Sequence, residues 1–146
     1  MALIYIDTSA FLRAFLAGSP EHDAAYSLVT DSSFRLISSE LLWLEADRAV
    51  IRLASEFPAV QGLAAQVNTA LRGVNMIDLD RRVLNAARAI PDVVKSLDAI
   101  HIASVEVLGS ELDCVVTYDK TMVAVLTAHG LTVHTAAEAL ACLSQQ

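Results

Sequence analysis

Short apolar segments that suit β-strands recur five times along the chain, and longer segments with a helical spacing of apolar residues separate them. The first and fourth segments are nearly unbroken apolar runs, a pattern typical of central strands in a parallel sheet covered on both faces. The five predicted strands are Ala2–Ile6, Arg35–Ile37, Asn75–Asp78, Cys114–Thr117 and Leu131–His134.

The intervening segments predict eight helices, most of which end close to a glycine or a proline. The predicted helices are Thr8–Leu16, Glu21–Asp31, Glu40–Glu56, Ala59–Leu71, Asp80–Ile90, Leu97–Leu108, Lys120–Ala128 and Ala136–Leu143. Strands that alternate with helices predict an α/β fold, with a mainly parallel central sheet flanked by helices. Because the chain shows no repeat and no long linker, we expect one domain over residues 1–146.

Composition predicts a folded core and a cytoplasmic location. The chain is 55% hydrophobic and 18% charged, which argues against disorder, and none of its apolar runs reaches the length of a membrane span. The first residues lack the basic region of a signal peptide, and Asp7 interrupts them. Cys114 and Cys142 lack metal-ligand spacing and are interpreted as buried free thiols.

The net charge of −7 disfavours broad binding to nucleic acid, because affinity for phosphate comes largely from Lys and Arg. Two pairs of arginines nevertheless lie close in sequence, Arg48 with Arg52 and Arg81 with Arg82. The charge therefore still allows a local basic rim beside a site. Arg48 and Arg52 are candidates either for contacts with phosphate or for pairing with a nearby acid.

Three acidic residues, Asp7, Asp98 and Asp119, follow or open very apolar segments, where a carboxylate is costly unless it has a partner. Asp7 ends the first predicted strand, and Thr8 or Ser9 can cap the next helix, which leaves Asp7 free to face a ligand crevice. Asp98 opens an almost wholly apolar helix that should be deeply buried, with Ser96 available as its cap.

Asp119 and Glu45 each admit two interpretations. Asp119 follows the fourth predicted strand, where it either caps the next helix or joins an acidic cluster with the Thr117 hydroxyl beside it. Glu45 lies inside a long helix, where it either pairs with Arg48 one turn further on or faces the crevice. Glu40 is a rival to Glu45 on the same helix.

Three other residues receive structural roles. His101 lies one turn beyond Asp98 and is interpreted as a hydrogen-bonded core histidine, and Lys95 is an alternative partner for the same acid. Trp43 is assigned to packing rather than to a platform for stacked bases.

Four segments carry a resemblance to one family: Ile4–Ala10, Ser39–Ala49, Ser96–Ala103 and Val116–Met122. In this order they resemble the motifs of the PIN-domain ribonucleases, in particular the VapC-like toxins of bacterial toxin–antitoxin pairs. The second family motif has a glutamate six residues after a serine and an arginine three residues further on, which selects Glu45 over Glu40. The matching acids are Asp7, Glu45, Asp98 and Asp119, with Ser9 and Thr117 in supporting positions.

The resemblance implies a Mg²⁺- or Mn²⁺-dependent endoribonuclease that usually dimerises, is inhibited by a small antitoxin and cuts cellular RNA such as transfer or ribosomal RNA. Carboxylate oxygens are hard ligands that suit these ions. We expect Asp7 and Asp98 to be the primary metal ligands, and Glu45 and Asp119 to bind a second ion or to act through water. The metal would activate a water for in-line attack on the phosphodiester.

Three alternatives stay open from the sequence. A haloacid-dehalogenase-like phosphatase also has an aspartate after its first strand, but its chemistry wants a second aspartate where this chain has Ser9. A receiver-like domain would take its phosphoacceptor from a middle strand, for which Asp78 is available. A non-catalytic binding module would use the same acids as helix caps and surface charges.

Overall fold

A computed structural model of the chain describes residues 1–57 and 62–144. The strands are β1 (Ala2–Ile6), β2 (Phe34–Ser39), β3 (Val74–Ile77), β4 (Cys114–Val116) and β5 (Val133–His134). The α-helices are α1 (Thr8–Arg13), α2 (His22–Thr30), α3 (Leu41–Glu56), α4 (Leu63–Leu71), α5 (Arg81–Arg88), α6 (Ser96–Leu108), α7 (Lys120–Ala128) and α8 (Ala136–Leu143), with a 3-10 turn at Gly109–Glu111.

The strands form a single parallel sheet in the order β3-β2-β1-β4-β5. The order confirms the predicted α/β fold and the central places of β1 and β4. Because all strands run the same way, their carboxyl ends meet at one edge of the sheet, and ligands of open α/β sheets bind at that edge. The residues that immediately follow β1 and β4 therefore define where a site is expected.

The side chains of β1 alternate between two hydrophobic cores, one on each face of the sheet. Ile4 and Ile6 pack in a core with residues of α1, α2, α3, α4 and α8, whereas Tyr5 packs in a second core with residues of α6 and α7. Both faces are thus covered, as the apolar character of β1 predicts. This burial fixes the end of β1, and with it the position of Asp7.

Several predicted boundaries match the structure, and others differ by a few residues. The predicted ranges of β1, α7 and α8 are confirmed. Helix α1 ends earlier than predicted, at Arg13, while β2 extends beyond its predicted range to include the buried Ser38 and Ser39. The predicted start of α4 at Ala59 lies outside the described residues. The prediction of one domain over residues 1–146 stays a prediction.

Some predictions about burial and capping are wrong. Helix α6 is buried only in its middle, since Leu97 is exposed, and its N-cap is Lys95 without a side-chain cap bond, not Ser96. Trp43 is 48% exposed, so it does not serve the core. Cys114 and Cys142 are both free, but only Cys114 is buried, and burial raises the pKa of its thiol to about 12.

Across residues 1–57 and 62–144, we find no helix that combines the length and the apolar character needed to cross a membrane.

Candidate active site

Asp7 is the most buried carboxylate beside the carboxyl edge of the sheet, with only 3% of its surface exposed. Its Oδ1 accepts hydrogen bonds from the Ser9 hydroxyl at 2.8 Å and from the Ala10 backbone N–H at 3.0 Å, and its Oδ2 accepts from the Thr117 hydroxyl at 2.6 Å. Asp7 itself therefore caps α1, and the prediction that Thr8 or Ser9 would do so is wrong. Burial raises the pKa of the Asp7 carboxyl despite these hydrogen bonds.

Glu45 lies in the first half of α3, and its carboxylate contacts Thr8, the residue after Asp7. Its Oε1 accepts a hydrogen bond from the Thr8 hydroxyl at 2.7 Å and lies 2.8 Å from Nε2 of His101. Burial opposes ionisation of Glu45, but the hydrogen bonds from His101 and Thr8 outweigh it and hold the pKa of this carboxyl below its usual range. Glu45 is therefore a charged group that faces the site.

Asp98 and Asp119 lie close enough to one another to interact as charges. Burial first, and then the negative charge of Asp119, raise the pKa of the Asp98 carboxyl, and Glu45 raises it further. His101 and Lys95 offset part of this repulsion, although within the described residues Lys95 makes no ion pair with Asp98. The structure thus brings three acids from α3, α6 and the end of β4 into one electrostatic neighbourhood.

Thr117 connects this neighbourhood to Asp7. Its Oγ1 donates to Asp7 and accepts from the Asp119 backbone N–H at 3.1 Å. The Asp119 side chain also caps α7 by accepting from the Met122 backbone N–H at 2.9 Å, so the capping interpretation of Asp119 is confirmed and its role in an acidic cluster stays a prediction. Ser9 contributes as well, since its hydroxyl accepts from the Tyr118 backbone N–H at 3.1 Å.

His101 is hydrogen-bonded and buried as predicted, but sequence reasoning missed its direct contact with the site. Its Nδ1 lies 2.7 Å from the Tyr5 hydroxyl, and its Nε2 contacts Glu45. Burial raises the pKa of Tyr5, which keeps the phenol protonated. The signals available in the sequence were the place of His101 one helical turn after Asp98 and the alternation that points Tyr5 and Asp7 to the same face of β1.

The structure also separates the rival residues on α3. The Glu40 carboxylate accepts a hydrogen bond from the Leu79 backbone N–H at 3.0 Å, so it fixes the segment after β3 rather than facing the site. Arg48 and Arg52 are exposed, and in the part of the chain that the structure describes neither forms an ion pair with Glu45. The predicted alternative of an intrahelical pair is therefore wrong for both.

The donor set at this edge fits a hard divalent ion by its chemistry. Four carboxylates from separate elements offer oxygen ligands, and burial, followed by the charges of Asp119 and Glu45, raises the pKa of the Asp98 carboxyl, a cost that a bound cation would relieve. In residues 1–57 and 62–144, however, no three His, Cys, Asp or Glu side chains already surround a common point at metal-ligand spacing. Binding an ion would therefore require the carboxylates to turn toward each other.

The receiver-like alternative loses its structural basis. It required Asp78 on a middle strand, whereas β3 is an edge strand that ends at Ile77, and Asp78 follows it as an exposed residue.

A solved structure has a similar fold. The crystal structure of VapC20 from Mycobacterium tuberculosis, described as a sarcin-ricin loop cleaving toxin, matches with a TM-score of 0.62 and 17% sequence identity. The match covers 88% of this chain and 96% of that one. At this identity the similarity concerns the fold, and it agrees with the five-stranded parallel sheet.

Sequence comparisons identify the family. Ribonuclease VapC46 of Mycobacterium tuberculosis (strain ATCC 25618 / H37Rv) is 33% identical over 125 residues, which cover 84% of this chain and 88% of the relative. Ribonuclease VapC35 of Mycobacterium tuberculosis (strain CDC 1551 / Oshkosh) is 31% identical over 82% of this chain and 87% of the relative. A family model described as PIN domain matches residues 4–125. The chain therefore belongs to the PIN-domain family, within its VapC-like group.

Proposed function

We propose that this protein is a Mg²⁺- or Mn²⁺-dependent endoribonuclease. The observation that carries the proposal is the set of four carboxylates beside the carboxyl edge of the sheet, where Asp98 is repelled by Asp119 and Glu45. Acids held close together repel one another, and a divalent cation would relieve that repulsion. The names of the curated relatives, Ribonuclease VapC46 and Ribonuclease VapC35, support the same activity.

In the proposal, Asp7 and Asp98 are the primary ligands of the ion, and Glu45 and Asp119 hold a second ion or act through water. Ser9 and Thr117 keep the Asp7 carboxylate oriented through the hydrogen bonds described above. When bound, a divalent ion supplies positive charge that neutralises the phosphodiester and lowers the pKa of a water. The chain supplies the orientation, because Asp7, Asp98 and Asp119 lie at or next to helix ends and Glu45 lies within the regular helix α3.

RNA binding in this proposal depends on local rather than total charge. Arg48 and Arg52 are exposed on α3 and share the face of Glu45, with which neither forms an ion pair among the described residues. Their guanidinium groups are therefore available to phosphates near the site. The net charge of −7 should restrict binding to RNA that reaches this rim.

We further propose that the protein is the toxin of a toxin–antitoxin pair, that it cleaves cellular RNA such as transfer or ribosomal RNA, and that it forms a homodimer. The similar fold of VapC20, which is described as a sarcin-ricin loop cleaving toxin, supports an RNA target of this kind. Exposed apolar side chains on and just after α3 supply surface that a second copy or a small antitoxin would cover; they are Trp43, Leu44, Ile51 and Phe57.

A cleavage assay with purified protein tests the proposed activity. Asp98→Asn should lower the rate of RNA cleavage at least about 100-fold, because an amide cannot replace a charged ligand of the ion. The fold should be unchanged, since the Asp98 side chain reaches the surface. Chelation of divalent ions should stop cleavage by the unaltered protein, and Mg²⁺ or Mn²⁺ should restore it.

Asp92→Asn is the matched control, because Asp92 precedes the same helix but hydrogen-bonds His129 instead of joining the acidic cluster. It should cleave within about twofold of the unaltered protein. Cleavage that persists in a chelator, or in Asp98→Asn, would overturn the proposal.

A further inference from the structure

The hydrogen bonds to Glu45 are divided unequally between its two oxygens. Oε1 accepts from the Thr8 hydroxyl and from His101, at 2.7 Å and 2.8 Å respectively. Within the described residues, Oε2 makes no hydrogen bond. One oxygen of the carboxylate is therefore anchored while the other is free to face a ligand.

The directions of the hydrogen bonds along this chain follow from the chemistry of its members. An ionised carboxylate only accepts, so the bond to Glu45 must come from an N–H at Nε2 of His101. In the neutral ring Nδ1 is then an acceptor, and the Tyr5 hydroxyl, 2.7 Å away, donates to it. Tyr5, His101 and Glu45 thus form one chain in which every donor has an acceptor.

Neither Tyr5 nor His101 can reach a substrate. Tyr5 is fully buried on β1 and His101 is 3% exposed on α6, where Ile102 and Val105 beside it belong to the same core as Tyr5. Side chains held in packed elements keep one orientation, because moving them would disturb the core. Because Tyr5 and His101 are held rigidly by the core, their hydrogen bonds hold the Glu45 carboxylate in one orientation at the edge of the sheet.

We propose that Tyr5 and His101 are positioning residues that orient the Glu45 carboxylate for a divalent ion, an inference that rests on the proposed function. Thr8 completes the arrangement by donating to the same oxygen from the residue after Asp7. Hydrogen-bond partners of this kind typically change metal affinity or activity about 10- to 100-fold when they are removed. The substrate would not contact either residue.

The affinity of the purified protein for Mn²⁺, measured by calorimetry without RNA, tests the inference directly. His101→Leu should weaken Mn²⁺ binding about tenfold or more and lower kcat by a similar factor, with the KM for RNA unchanged. His101→Gln should recover most of the affinity, because its amide N–H can still donate to Glu45. Tyr5→Phe should weaken binding by a smaller factor of about threefold to tenfold.

Val105→Ala is the control for lost stability, because Val105 is fully buried one turn beyond His101 and touches the same core. It should destabilise the fold while leaving Mn²⁺ affinity within about twofold. If His101→Leu fails to fold, Tyr5→Phe decides, since it removes only one oxygen atom.

Three results overturn or support the inference independently of the proposed function. Mn²⁺ affinity and kcat within twofold of the unaltered protein in both His101→Leu and Tyr5→Phe would overturn it, even if Asp98→Asn is inactive. Equal loss of affinity in Val105→Ala would overturn it too. If the unaltered protein cleaves no RNA, the proposed activity fails, but a tenfold weaker Mn²⁺ affinity in His101→Leu would still support the positioning role.

Discussion

In the part of the chain that the structure describes, two histidines hydrogen-bond carboxylates, and their surroundings differ sharply. His101 lies in the interior, between the Tyr5 hydroxyl and Glu45. His129 follows the last residue of α7 and lies at the surface, where Nδ1 is 2.8 Å from Glu106 and Nε2 is 3.0 Å from Asp92. The first region is at the carboxyl edge of the sheet, whereas α7 begins at that edge and carries His129 at its far end.

The charges are balanced around His129 and unbalanced at the carboxyl edge of the sheet. The hydrogen bond that the His129 ring donates to Glu106, followed by the one it donates to Asp92, raises the pKa of His129, so a positive ring is stabilised between two acids. At the carboxyl edge, burial and neighbouring acids raise the pKa of Asp98, which means that its charge is disfavoured there. Unrelieved repulsion between acids, rather than contact between histidine and carboxylate, is the feature that distinguishes a candidate metal site.

The largest expected difference in cleavage rate comes from neutralising one carboxylate beside each histidine, which is Glu45 beside His101 and Glu106 beside His129. Glu45→Gln should reduce RNA cleavage at least about 100-fold, because it takes a charged oxygen ligand from the proposed metal site. Glu106→Gln makes the same chemical change beside His129 and should cleave within about twofold of the unaltered protein. Initial rates at saturating Mg²⁺ measure both, and similar rates for the two variants would remove the distinction between the regions.

A smaller effect should separate the cations on the Glu45 face of α3 from cations near the amino ends of the strands. The double variant Arg48→Gln/Arg52→Gln should raise the KM for RNA about threefold to tenfold and reduce the salt dependence of binding by one to two phosphate contacts. Arg35→Gln/Arg72→Gln removes the same charge near the amino ends of β2 and β3 and should change neither quantity appreciably. Equal shifts in the two double variants would mean that only total charge matters.

The smallest expected effect is a pH-dependent loss of stability at His129. Because the pKa of His129 is raised in the folded protein, its stabilisation is fully present below the ordinary histidine pKa and is lost as pH rises through the raised value. His129→Gln should therefore lower the free energy of unfolding by less than about 1 kcal/mol at pH 5, since the pair is solvent-screened, and by nothing measurable at pH 9. Urea unfolding at the two pH values measures this, and a loss at pH 9 as large as that at pH 5 would contradict it.

Much of the fold could be predicted from local patterns, because burial imposes them on the sequence. The apolar run predicted the bounds of β1, and Asp119 and the glycine at position 130 predicted those of α7. The length of β2 could not be predicted in the same way, because Ser38 and Ser39 are polar residues that the tertiary structure buries. Trp43 is the opposite case, because the sequence predicts that this aromatic side chain packs in the core, whereas the structure leaves it exposed on α3.

The candidate site was only partly predictable, because its decisive contacts join residues far apart in sequence. The contact between His101 and Glu45 spans 56 positions, and the one between Thr117 and Asp7 spans 110. Spacing could suggest the four acids but not which oxygens are free. Local rules also failed to show that Asp7 would both cap α1 and join the cluster, because capping and ligand binding favour the same residue type at that place.

The central claim is that carboxylates from remote parts of the chain share one divalent ion. Crystals of the protein soaked in Mn²⁺, with diffraction collected at the manganese absorption edge, test it most directly. We expect an anomalous peak within ligand distance of oxygens of both Asp7 and Asp98, with Glu45 or Asp119 beside it. Saturating Mn²⁺ that leaves this edge of the sheet without a peak would contradict it.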